Sequence, residues 1–204
     1  MNRKYIIPVV ILVGLALVLV LLPEKKSYEE ITPEELLRHV TSTSRFISCD
    51  EVTDRMIRKD PSLLLIDVRD EEQNANYSLP GALNIPLLSI SDPEKAELLS
   101  AEGFDYVFFS NGDIRADQAW IISKRKNMDH IYVMKGGLNE WFASFFMMQP
   151  PPETSSAADI ALYQFRSGVR QHFTGGGTES SPESATEKII VTPKKKKSAA
   201  EGGC

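Results

Sequence analysis

Val107-Phe108-Phe109-Ser110-Asn111-Gly112-Asp113-Ile114-Arg115-Ala116 is the stretch on which the reading of this chain turns. Tyr106 to Phe109 is an apolar run of the kind buried on both faces of a parallel sheet. It passes without a linker into a short polar loop, and Ala116 to Lys126 then reads as a helix. A loop between a strand and a helix N-terminus gathers backbone N–H groups at one point. The positive end of the helix dipole lies behind them, and the combination favours an anion. Arg115, at the last loop position, adds a forked cation. Ser110, Asn111, Gly112, Asp113, Ile114 and Arg115 therefore form a candidate anion-binding loop. The alternative is a plain strand–helix connection in which Ser110 or Asn111 caps the helix.

Three further segments fall into step with this one. Leu63-Leu64-Leu65-Ile66-Asp67-Val68-Arg69 is an apolar strand ending in Asp-x-Arg, and Leu79-Pro80-Gly81-Ala82-Leu83-Asn84-Ile85-Pro86 is a turn leading into a short strand. Val133-Met134-Lys135-Gly136-Gly137-Leu138-Asn139-Glu140-Trp141 is a strand, a Gly-Gly turn and the start of a helix. In this order and spacing the four segments resemble rhodanese-type sulfurtransferases. In that family a Cys opens a six-residue active-site loop and an Arg closes it. The resemblance covers about half the chain. It implies an α/β fold, with a five-stranded parallel sheet and helices on both faces, and a site at the carboxyl ends of the strands.

The resemblance sets Ser110 at the position of the family's Cys. Sulfur transfer of this kind needs a thiolate that attacks a sulfane sulfur and holds it as a persulfide. A thiol has a pKa of about 8.5, which a helix N-terminus or nearby cations lower. A serine hydroxyl is far less acidic, and His39, His130 and His172 all lie outside the loop. Asp113 adds a carboxylate to a loop suited to anions. The expectation is a binding or scaffold module without sulfurtransferase activity. A second reading gives the sulfur-carrying role to the tail Cys204, and a third uses the loop on a phosphoryl or arsenate group. Asp67 and Arg69 are expected to shape the loops near the site. No cofactor and no metal are expected.

Away from the domain, Tyr5 to Leu22 is a run of eighteen residues without a charge. As a helix it spans roughly 27 Å, close to a hydrocarbon core of about 30 Å. With no small-residue cleavage site after Leu22, it reads as a retained single-pass membrane anchor, with a cleaved signal peptide as the alternative. The soluble domain is expected on the extracytoplasmic side, and a protein partner is expected through the tail. Positions 1–23 are thus the anchor, 24–44 a linker with a short helix, 45–148 the domain, 149–173 a helical extension and 174–204 a tail. The tail is rich in Gly, Ser, Glu and Lys, and this composition predicts disorder. Lys194 to Lys197 within it reads as a solvated charge run, with an electrostatic tether to an anionic membrane surface as the alternative. Between Arg45 and Met148 there are 17 acidic and 11 basic residues, a net of −6, which argues against a nucleic-acid partner. Two cysteines in 204 residues make no disulfide framework.

Local signals order the rest. Thr32 with Glu35, and Pro33 between them, open a helix to about Val40; Ser48 with Glu51 opens another to about Arg58. Strands are expected at Arg45 to Ile47, Leu63 to Val68, Ala82 to Ile85, Tyr106 to Phe109 and His130 to Met134. Helices are expected at Glu94 to Ser100 and Leu138 to Met147. Trp120 and Trp141 fall at apolar helix positions and are assigned to the core. Beyond Pro150-Pro151-Pro152, Ile160, Tyr163, Phe165, Val169 and Phe173 recur at a spacing that suits a helix packed back onto the domain, with a partner-binding element as the alternative.

Overall fold

The computed structural model describes residues 6–21 and 30–175. Five parallel strands lie in the order β1-β5-β4-β2-β3: β1 Phe46–Ile47, β2 Leu63–Asp67, β3 Leu83–Asn84, β4 Asp105–Phe109 and β5 Ile131–Met134. β4 sits at the centre, its residues 105–109 in register with 63–67 of β2 and its Tyr106–Phe108 with Ile131–Val133 of β5. Side chains alternate across a strand, so β4 supplies both cores. Tyr106 and Phe108 join Leu64, Ile66 and Val133 on one face, against Ala116, Ala119 and Trp120. Val107 and Phe109 join Leu65 and Met134 on the other, against Val52, Leu138, Trp141 and Phe145.

The described helices are α1 Ile6–Leu21, α2 Pro33–Thr41, α3 Cys49–Ile57, α4 Glu71–Asn76, α5 Pro93–Leu98, α6 Asp113–Arg125, α7 Gly137–Phe146 and α8 Ala157–Thr174. The side chains of Thr32 and Ser48 accept from the backbone N–H of Glu35 and Glu51, so the expected N-caps start α2 and α3. The buried indoles also find acceptors. Trp120 Nε1 donates to Ile131 O at 3.0 Å and Trp141 Nε1 to Thr53 Oγ1 at 2.9 Å. α8 packs onto the α7 face through buried Val169 with Phe165 and Phe173. Arg166 closes the contact with a two-pronged ion pair to Asp50, 2.8 and 2.7 Å long.

Three local expectations change. Helix α6 starts at Asp113 rather than Ala116, so the loop between β4 and α6 is only Ser110 to Gly112. A carboxylate in a first turn favours the helix dipole, which accounts for the earlier start. Arg45 belongs to a 3-10 turn over Thr43–Arg45, and β1 holds two residues. Helix α4 appears where no helix was expected.

Helix α1 has 16 residues, about 24 Å at the helical rise. Among the described residues no helix is long and apolar enough to cross a membrane. Tyr5 and Leu22, the ends of the expected anchor, lie outside the described residues, as do Cys204 and Lys194 to Lys197.

Candidate functional site

Every strand points its carboxyl end to one pole of the domain, and three connections meet there. They are Ser110 to Gly112 after β4, Val68 to Asp70 after β2, and Lys135 to Gly136 after β5. Ser110 is 4 % exposed. The N-cap of α6 is Gly112, and no side chain caps the helix. Neither Ser110 nor Asn111 is therefore the cap. Asn111 turns instead to β2, where its Oδ1 accepts from Arg69 Nη1 at 3.1 Å.

The loop is held mainly from α7. Leu138 N–H donates to Ser110 O at 2.8 Å and Asn139 N–H to Asn111 O at 3.0 Å. This close approach depends on Gly137, which has φ +59°; a Cβ there would lie 2.5 Å from Ser110 O and 2.8 Å from Asn111 C. The Asp113 carboxylate accepts the Gly136 N–H. Asp113 thus ties the α6 start to the β5–α7 turn, and it sets a negative charge where the sequence suggested an anion cradle. Ile114 is 76 % exposed in the first turn of α6. Arg115 Nη1 reaches exposed Asp70 Oδ2 at 3.4 Å, a single contact rather than a fork.

Asp67 and Arg69 form the buried support of this pole. Arg69 Nε and Nη2 donate to the two Asp67 carboxylate oxygens at 2.9 and 2.6 Å, and Nη2 also reaches Tyr77 O at 2.6 Å. Asp67 accepts further bonds from Asn74 Nδ2 at 3.0 Å and Ser78 Oγ at 2.8 Å. Burial pushes the Asp67 carboxyl up, but the bonds from Arg69, Asn74 and Ser78 outweigh it and hold the group below the usual carboxylate range. Asn84 donates to the carbonyls of Asp67 and Arg69. Tyr77 packs at a tilt against Phe142, ring centroids 5.0 Å apart. Asn84 and Tyr77 thus brace the site pole.

Cys49 is the one thiol among the described residues. It opens α3 and is buried, and its Sγ donates to Lys135 O at 3.2 Å. Burial first, then the nearby Glu140, Asp50 and Asp113 carboxylates, push its pKa up to about 12, against a partial opposing pull from Arg166. Cys49 is therefore a protonated, inert thiol beside the site. In the folded chain it should resist alkylation between pH 7 and 9. Its folded pKa lies above the unfolded value, so its contribution to stability is intact below about 8.5 and is lost as pH rises toward 12. The loss amounts to at most about 1.4 kcal/mol per pH unit. Urea melts of the wild type and Cys49→Ala across pH 8–11 test this: the gap between them should narrow as pH rises, and a constant gap would refute it.

None of the three histidines reaches the loop. His130 precedes β5 and faces Asp105, at the opposite pole; His39 lies in α2 and His172 near the end of α8. Clefts of about 400 and 550 Å³ also open at the opposite pole, the first between Glu102 and Asn127 to His130, the second between Met56, Leu63 and Phe173. Among the described residues no group of His, Cys, Asp and Glu side chains is arranged to hold a metal.

Residues 48–144 match the family model for the Rhodanese-like domain. Among solved structures, the chain is similar to a rhodanese-like domain from Anabaena sp. at 20% identity, covering 56% of this chain and 89% of that one, with a TM-score of 0.44. It is similar to a rhodanese-like domain protein from Staphylococcus aureus at 24% identity, covering 48% and 90%, with a TM-score of 0.41. A single-domain sulfurtransferase from Saccharomyces cerevisiae is similar at 21% identity over 50% and 92%, with a TM-score of 0.43. No curated protein matches the chain.

Proposed function

The chain carries a Rhodanese-like domain over residues 48–144, and from that premise we propose a membrane-anchored binding or scaffold module without sulfurtransferase activity. The observation that carries this reading is Ser110. It stands where the family's pattern calls for the nucleophilic Cys, at the carboxyl end of the central strand and 4 % exposed. A hydroxyl there needs a base, and no histidine is near it. The neighbouring thiol, Cys49, is buried with its pKa pushed up to about 12 and supplies no thiolate at neutral pH. The Asp113 carboxylate opposes a small anion at the same point. What remains is a polar, braced surface suited to recognition.

The anchor belongs to the same proposal. The run Tyr5 to Leu22 has no charge, and Pro8 to Leu17 of α1 are exposed apolar or small residues with no cover from the domain. A helix with such a surface suits a bilayer.

In a thiosulfate:cyanide assay the full-length protein should stay at background, and so should Cys204→Ser. Activity in the wild type that survives Cys204→Ser overturns the reading. A persulfide trapped on Cys204 would instead favour the sulfur-carrier alternative; Cys204 lies outside the described residues. The full-length protein should also remain with membranes through carbonate extraction, and release with an intact N-terminus overturns the anchor.

A further inference from the structure

Both chain segments that leave the domain leave it at the pole opposite Ser110. α6 starts at the carboxyl end of β4 and runs back along the sheet, so Arg125 lies at the opposite pole, about 18 Å from Asp113 along the helix. The incoming chain is fixed there. Ile31 N–H donates to Arg125 O at 3.2 Å, and the Arg125 guanidinium pairs with Glu30 at 3.0 Å. α8 descends in the same sense. Its Arg166 pairs with Asp50, near the site pole, and its Phe173 lies beside Leu63 and Lys59 at the other. The tail therefore departs from the pole where the linker arrives.

Resting on the anchor proposed above, we infer that this pole faces the bilayer and that the Ser110 pole faces the aqueous phase. Only eight residues, 22–29, join the end of α1 to Glu30. Fully extended they reach about 30 Å, so the Arg125 pole stays close to the membrane surface. Charge acts in the same direction. Exposed Asp70, Glu71, Glu72, Asp113 and Glu140 outnumber exposed Arg115 and Lys135 around the site, and an anionic leaflet repels this net negative face. At the other pole exposed Arg58, Lys59 and Arg125 balance exposed Glu30, Glu102 and Asp129. A lipid headgroup is therefore a poor ligand for the site.

The test uses the full chain in vesicles of phosphatidylcholine and phosphatidylserine carrying a lipid-linked acceptor dye. In a Cys204→Ser background, with Cys49 buried, a donor is attached at Glu102→Cys or at Ile114→Cys. Transfer from position 102 should exceed that from position 114 by about twofold, given the ~18 Å difference in height. Equal transfer, or greater transfer from position 114, in protein that floats with the vesicles overturns the orientation alone. Protein that stays out of the vesicle fraction overturns the anchor and, with it, this inference.

Discussion

Asp67→Ala should cost about 3–5 kcal/mol and lower the melting temperature by more than roughly 10 °C, the largest stability loss we expect from a single side chain at the site pole. The carboxylate is fully buried and its partner Arg69 nearly so, which leaves the guanidinium without a counter-charge once Asp67 is removed. Solvent cannot rescue it. The same change strips acceptors from Asn74 and Ser78, which hold the start of the β2–β3 connection. The acid dependence supplies a second readout. A carboxyl whose folded pKa lies below its unfolded value of about 3.9 stabilises the fold above that value, and the contribution is lost as pH falls through the folded pKa. Wild type should therefore lose stability on acidification more steeply than Asp67→Asn, which carries no titrating group there. A melting temperature within a degree or two of wild type for Asp67→Ala would show that the pair is not supporting the pole.

The second large effect is a gain. Ser110→Cys should give a thiol with half-maximal alkylation below about pH 8.5, and measurable though partial thiosulfate sulfurtransferase activity where we expect the wild type to stay at background. The α6 N-terminus favours the thiolate, while the nearby Asp113 charge opposes both the thiolate and an incoming anion. Ser110→Cys with Asp113→Asn should raise the rate further. Asn keeps an oxygen for the Gly136 N–H, so the charge is removed while the link to the β5–α7 turn survives. An inert Cys at position 110, alkylated no faster than buried Cys49, would mean that access through the loop and not chemistry limits this site.

The sheet was legible because its central strands are unbroken apolar runs: Leu63 to Ile66 and Tyr106 to Phe109 admit few alternatives to burial on both faces. Helices with capping residues were legible for a similar reason, since Thr32 and Ser48 mark their starts locally. Helix α4 was not. Glu71 to Asn76 is short and polar throughout, with no apolar periodicity to read. Asp113 misled because a carboxylate after Asn-Gly reads equally well as loop or as first turn. The site itself was legible as a position and much less as an arrangement. That Asn111 turns to Arg69, 42 positions earlier, follows from the β2–β4 pairing and from nothing in the local sequence.

The two amide bonds from Leu138 and Asn139 to the loop carbonyls tie its motion to that of α7. A surface loop ordinarily opens by itself at little cost, and its amides exchange with solvent long before the core does. Here, for Ser110 and Asn111 to swing out, the first turn of α7 must let go, and that turn is continuous with Trp141 and Phe145 in the core. Opening at the Ser110 pole is thus coupled to the start of α7, and the Leu138 and Asn139 amides should exchange with that helix rather than at the rate of a free surface loop.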